Sequence, residues 1–394
     1  MANNKLSFLT AIGLQHFALG TLISSFFLYA NQNGVTVTSL ALVSLITAII
    51  NFFFEPITSF LADKYDKKII LLLGYICLIF AFFCLTLGGS LFLLSTSQIL
   101  STFGLAFLSG TEESYLYDQD TTQTEVQFAK QLSLMQIFDE VGTVLGTVLI
   151  GILATNYGFQ ISYWSAIIAL LIGFVYILTN KSIKPVKSSQ TLKNYFTGLI
   201  PHFKSQKNVT KSGIIRFALP VCLLYVFITF RGDETWQIAM QSYNLPFYLI
   251  GFVFGVGKIS SLLSSFAVYK IGSKIIPKIA IFTGVTLQAL GYLIFLVPSF
   301  WSPFVGLILY FFGENLIRPY LKSLIISHSP ANLKTTFLSL ISGFNKLFSF
   351  PIIFLIAFYV DKNVWIALLI MLCTKVLTIL TLLIIIQKKY YFQN

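Results

Sequence analysis

Residues 60–70 read Phe-Leu-Ala-Asp-Lys-Tyr-Asp-Lys-Lys-Ile-Ile, a short polar turn with Lys64, Lys67 and Lys68 set between two long apolar runs. The runs on either side, near 37 to 61 and 69 to 88, each end in a turn without Lys or Arg, at Asn31 to Gly34 and at Gly88 to Ser90. The same alternation continues along the chain. Lys181, Lys184, Lys187, Lys193, Lys204, Lys207 and Lys211 fill one later connection, Lys270, Lys274 and Lys278 another, and Lys388 and Lys389 the tail. The turns at Asn156 to Gly158, Asn244 to Pro246 and Pro298 to Pro303 carry no cation, and only Asp361-Lys362 interrupts the pattern. Lysine is retained on the cytoplasmic side of a membrane, so this alternation predicts that both termini are cytoplasmic.

Working outward from that turn, apolar runs recur near 6 to 30, 37 to 61, 69 to 88, 91 to 115, 130 to 154 and 159 to 179. A second series lies near 214 to 241, 246 to 269, 275 to 297, 301 to 325, 335 to 360 and 363 to 387. Each is long enough to cross about 30 Å of hydrocarbon at about 1.5 Å per residue. The reading is an all-α membrane protein of twelve transmembrane helices. A chain that is 56% hydrophobic and 10% charged, with 40 phenylalanines in 394 residues, excludes the water-soluble globular classes. The net charge of +12 is scattered over separate turns, which fits topology and anionic lipid headgroups and argues against a nucleic-acid footprint.

No enzyme motif, metal-ligand spacing or cofactor motif is present, and no nucleotide-binding loop of the Gly-x-x-x-x-Gly-Lys-Ser/Thr kind. Cys77, Cys84, Cys222 and Cys373 lie inside apolar runs and read as packing residues. His16, His202 and His328 are remote from one another in sequence. The first apolar run is of full span length, so it is expected to stay in the protein as a helix and not to be cleaved as a leader. The bias toward Lys, Phe, Ile and Asn suggests a bacterial source, and the expected location is a bacterial inner membrane.

The polar stretch Asn180 to Gly213 divides the chain into an N-terminal bundle (1–180), a cytoplasmic linker (181–213) and a C-terminal bundle (214–394). Within the linker, Leu192, Phe196, Leu199, Ile200 and Phe203 recur at helical spacing, the pattern of a helix lying on the membrane surface. Residues 60–70 can be laid on Phe266-Ala267-Val268-Tyr269-Lys270-Ile271-Gly272-Ser273-Lys274-Ile275-Ile276, which makes the halves repeats. Two six-helix bundles related by an axis along the membrane normal form a transporter architecture, with the substrate path between them near the midplane.

The turn after the second run resembles the loop of the major facilitator superfamily, Gly-x-x-x-Asp-(Arg/Lys)-x-Gly-(Arg/Lys)-(Arg/Lys). Asp63, Lys64, Lys67 and Lys68 match it, whereas Ser59 and Asp66 stand at the two glycine positions. The resemblance implies that Asp63 and its lysines form a gating loop that latches the cytoplasmic ends of the bundles. Ser109 to Asp118 and Gly313 to Leu321 resemble the fourth and tenth helices of a bacterial branch described as efflux transporters. The glycine-proline pattern of many antiporters is incomplete: Gly142, Gly146 and Gly151 are present without a proline.

An ionisable group within a span costs roughly 2.5 to 3.5 kcal/mol near the bilayer centre, so such groups face a cavity or a partner. The N-terminal half places only acids there: Glu55, Glu112, Glu113, Asp139 and Glu140. The C-terminal half carries Arg231, Asp233, Glu234, Lys258, Glu314, Arg318, Lys346 and Lys375. The candidate proton-coupling residues are Glu112, Glu113, Asp139, Glu140 and Glu314, because a carboxylate in a poorly hydrated cavity gains proton affinity. The candidate substrate-cavity residues are Arg231, Asp233, Glu234, Lys258, Arg318 and Lys346. Glu314 and Arg318 are four apart and can pair, Pro319 would loosen their helix, and Lys375 is expected to snorkel or pair locally. Together these readings predict a monomeric, proton-coupled exporter of a small amphipathic or zwitterionic organic compound, working by alternating access without a cofactor. A proton-coupled nutrient importer and a lipid flippase are the alternatives.

Overall fold

The computed structural model describes residues 2–118, 125–180, 227–228, 233–271, 276–327 and 349–387, and the described residues are helices and turns without a strand. In the N-terminal half, α1 is Ala2–Gln32, α2 Val37–Lys64, α3 Lys67–Leu87, α4 Leu91–Leu108, α5 Thr111–Asp118, α6 Glu125–Tyr157 and α7 Phe159–Thr179. In the C-terminal half, α8 is Asp233–Ser242, α9 Phe247–Ile271, α10 Pro277–Phe295, α11 Ser302–Ser327, α12 Ser349–Val360 and α13 Val364–Gln387. Among the described residues, nine helices are long and apolar enough to cross a membrane. Their outward faces carry large apolar side chains such as Phe92, 77% exposed, and Leu263, 60% exposed, as a surface facing lipid requires.

Polar side chains in the turns start the helices. Thr36 accepts from Ser39 N at the start of α2, and Ser90 from Leu93 N at the start of α4. Asp66 accepts from Lys68 N at 3.0 Å and caps α3 with φ −60°. The aspartate at a glycine position of the loop pattern is therefore a helix cap in an ordinary backbone conformation. Lys68 Nζ donates to Leu178 O and Asn180 O, both at 2.7 Å, and so ties the start of α3 to the carbonyl end of α7 within the N-terminal half.

The fourth apolar run is not one helix. It breaks at Ser109-Gly110 into α4 and α5, where Gly110 takes φ +73°, a conformation that suits glycine. The break puts Glu112 in the first turn of α5, where the free backbone N–H groups favour a negative charge. By contrast, α11 runs on through Pro319 to Ser327 without interruption.

Close backbone approach holds the N-terminal half together. A Cβ at Gly142 would overlap the carbonyl oxygen of Gly13, and one at Gly146 that of Phe17, so α1 and α6 pack at a separation no larger residue permits. These two glycines serve the α1–α6 crossing. The C-terminal half is centred on Trp236 of α8, whose ring meets Tyr310 at 4.6 Å and Tyr292 at 5.8 Å.

Candidate functional site

Contacts between the halves gather on the face that carries the charge-poor turns. Gln237 of α8, fully buried, inserts its amide against α1: Oε1 accepts from Phe27 N at 3.1 Å and Leu28 N at 3.2 Å, and Nε2 donates to Ile23 O at 2.6 Å. Asn31 donates to Gln241. Asp361, the charge that interrupts the turn pattern, accepts from Val37 N and Thr38 N at 2.8 Å each and from Thr38 Oγ1 at 2.6 Å. A carboxylate from the α12–α13 turn thus seats on the N-terminus of α2, where the helix dipole and unpaired N–H groups attract an anion.

A second seam follows α6 and α9. Near the charge-poor face, Gly151 lies against Phe247 and Tyr248, and Gly251 lies against Thr147 O, again at backbone-to-backbone distance. Two to three turns further along α6, Glu140 Oε2 meets Lys258 Nζ at 3.5 Å, with side chains only 6% and 9% exposed. Ser261 Oγ donates to Glu140 Oε1 at 3.1 Å, and Asn315 of α11 donates to Ser261 Oγ. Lys258 also lies 5.4 Å from the ring of Phe311. This is a buried ion pair linking the two halves, supported by a hydroxyl and an amide.

The residue before Glu140 points elsewhere. Successive helical residues are about 100° apart, so Asp139 faces α1 while Glu140 faces α9. Asp139 Oδ1 lies 2.6 Å from His16 Nδ1. Exposed Ile137 and Val141 mark the outward side of α6, and Asp139 sits about 200° round from both. Its side chain is nevertheless 34% exposed and that of His16 23%. His16 and Asp139 are thus more exposed than Glu140 and Lys258, although they sit on inward faces of α1 and α6. His16 is about 16 Å along α1 from Lys5, and Lys258 about 16 Å along α9 from Phe247, so both sit near the middle of a bilayer about 30 Å thick.

The other charges of the cluster face the same place. Glu112, 8% exposed, and Lys258 both act electrostatically on His16, and Lys258 and Arg318 act on Asp139. Arg318 Nη2 donates to Glu314 Oε1 at 2.9 Å, the pairing expected from their spacing. The carboxylate is 2% exposed and the guanidinium 43%, so Glu314 anchors the pair and Arg318 presents it to water. An exposed acid of the N-terminal half and an exposed base of the C-terminal half thus lie within electrostatic reach of one another.

Glu112, Asp139, Glu140, Lys258, Glu314 and Arg318 therefore converge. Arg231, Lys346 and the linker 181–213 lie outside the described residues, as do the side chains of Asp63, Glu113, Asp233 and Glu234. Lys64 sits over the ring of Tyr65 at 5.9 Å. Glu55 is buried and accepts from Asn51 at 3.2 Å within α2. Lys375 does not snorkel: it is fully buried and pairs locally, donating to Phe227 O at 2.9 Å and Ile228 O at 3.0 Å. His16 is the member that the sequence reading passed over. The one available signal was a histidine at the same depth as an acid on another helix.

The chain belongs to the Major Facilitator Superfamily, which it matches over residues 8–353. It is a multi-pass membrane transporter and not an enzyme. Solved structures agree in fold. The nucleoside transporter NupG, captured as a point mutant, superposes with a TM-score of 0.78 at 14% identity, covering 97% of this chain and 99% of that one. A POT family transporter in complex with 5-aminolevulinic acid gives 0.71 at 13% identity, covering 97% and 95%. The peptide transporter POT in complex with sulfate gives 0.70 at 14%, covering 98% and 94%. No curated protein matches the sequence.

Proposed function

We propose that this transporter carries a small amphipathic or zwitterionic organic compound by proton-coupled export, its two six-helix bundles (1–180 and 214–394) rocking about a site at mid-depth. The observation that carries the reading is the electrostatic interaction across the halves of Asp139, 34% exposed, with Arg318, 43% exposed. A planar guanidinium suits a carboxylate, and a carboxylate suits an amine, so the two exposed groups complement the two ends of a zwitterion. Binding would then draw the halves together, which is how a substrate drives alternating access. Twelve spans, cytoplasmic termini and a bacterial inner membrane belong to the same proposal, and the alternation of lysine-rich and charge-poor turns supports them. At 13–14% identity the solved structures share the fold with this chain, and their ligands are not carried over to it.

The test is purified protein in liposomes holding a pH-sensitive dye, with zwitterionic, cationic and anionic compounds added singly under an imposed pH gradient. Zwitterions are expected to move protons, with the signal lost in Asp139→Asn and Arg318→Gln. Equal responses to cations that survive Arg318→Gln would refute the assignment.

A further inference from the structure

The acids read from the sequence as proton carriers differ in their contact with water, and that difference singles out a group outside their number. A proton carrier must exchange with solvent. Glu140 and Glu314 are 6% and 2% exposed and are each engaged by a cation, whereas the side chains of His16 and Asp139 are 23% and 34% exposed. Imidazole is also the side chain that ordinarily changes charge near neutral pH. Its Nδ1 is held by Asp139 at 2.6 Å, within hydrogen-bond reach, which leaves Nε2 as the nitrogen that gains or loses a proton.

We infer that His16 is the switchable charge of this site: the proton on Nε2 decides whether Asp139 is neutralised within the N-terminal half or pulls on Lys258 and Arg318 of the other half. The inference rests on the proposed coupled transport and deepens it. The step moves one proton from water to the Nε2 lone pair, giving an imidazolium, and no bond between heavy atoms changes. With His16 cationic, the His16–Asp139 pair is neutral overall and its field falls off steeply with distance. With His16 neutral, α6 presents two adjacent anions, Asp139 and Glu140, to the cations of α9 and α11. The charged groups acting on His16 are Asp139 from α6, Glu112 from α5 and Lys258 from α9, with Arg318 of α11 acting through Asp139. Glu112 favours the imidazolium and Lys258 opposes it, so a movement of α9 away from α6 itself promotes proton uptake. Proton binding and separation of the halves are thereby linked in both directions.

The experiment needs no substrate. Cys77, Cys84, Cys222 and Cys373 are replaced by serine, spin labels are placed through Gln32→Cys and Phe300→Cys on exposed turns of the two halves, and distances are measured in lipid nanodiscs. Between about pH 8 and about pH 5 the ratio of long to short distances is expected to rise about tenfold in this parent and to stay flat in His16→Gln. Asp139→Asn removes the carboxylate that holds Nδ1, so the imidazolium loses its counter-ion beside Lys258 and is not formed over this range; this variant is also expected to be flat, and decides the matter if His16→Gln does not fold. A pH response that survives in either folded variant overturns the inference, and so does a flat parent. A flat parent would leave zwitterion transport standing, because uptake without a pH gradient reads that separately.

Discussion

Lys258→Met should destabilise the protein far more than Lys258→Met combined with Glu140→Gln. In the parent, Glu140 has the ammonium at 3.5 Å and the Ser261 hydroxyl at 3.1 Å, and the side chain is 6% exposed. Removing the cation leaves a desolvated carboxylate with one neutral donor. Breaking a buried pair from one side costs about 3 to 5 kcal/mol in soluble proteins, whereas single polar contacts in membrane proteins average nearer 0.6 kcal/mol. The first figure is the relevant one, because the group left behind is charged and its surroundings are dry. Glu140→Gln alone leaves Lys258 with the Phe311 ring at 5.4 Å as a weak substitute and should cost a similar amount. The double variant keeps the glutamine within reach of Ser261 and leaves no charge behind, so it should lie within about 1 kcal/mol of the parent. The predicted coupling, the two single effects together less the effect of the double variant, is therefore about 5 to 9 kcal/mol, read from a double-mutant cycle on reversible unfolding in detergent followed by circular dichroism. Effects that add to within about 0.5 kcal/mol would show the two groups to be independent and would refute the seam as drawn.

Gly146→Ala drives a methyl into Phe17 O and should lower stability by about 1 to 3 kcal/mol by forcing α1 from α6, measured by the same unfolding assay. Gly110→Ala, at φ +73°, should cost about 1 kcal/mol and extend helical order across the α4–α5 break, visible as slower amide exchange at residues 109–111. Asp361→Ala removes three hydrogen bonds between the halves at a half-exposed position. It should raise the labelling rate of a Gln241→Cys variant by an external impermeant maleimide about fivefold, equivalent to about 1 kcal/mol.

The helices were legible because hydrophobic length and charge asymmetry are local properties of a chain. The break at Ser109-Gly110 was not, since a glycine inside an apolar run is compatible with a continuous helix until its backbone angles are known. Asp66 read as a departure from the loop pattern, yet its role as the cap of α3 is the ordinary role of an aspartate before a helix. At the site, the costly acids and bases stood out one by one, but their pairing did not. Glu140 meets Lys258 118 residues later, across the junction of the two halves, and no spacing rule spans that separation. Glu314 and Arg318, by contrast, share one helix, and their pairing followed from a separation of four. His16 stayed hidden because a single histidine on an apolar helix ordinarily packs, and its partner lies on another helix. How much of Asp139 and Arg318 stays exposed is decided only when the helices are packed together, so no reading of either helix alone reveals it.

The amide of Gln237 bridges Ile23 O and Phe27 N, and these two groups are the natural partners of one another in an unbroken helix, being four residues apart. Under the proposed alternating access, α8 would leave Phe27 N in helical register with Ile23 O and Leu28 N with Ser24 O, so no backbone group of α1 is stranded in an apolar surrounding. Only the glutamine must find water, and it withdraws into the mouth that its departure opens. A gate fastened by an apolar plug would have to expose that plug to water on every cycle. One fastened by a side-chain amide seated on a continuous helix leaves that helix satisfied when it opens, at little cost in free energy.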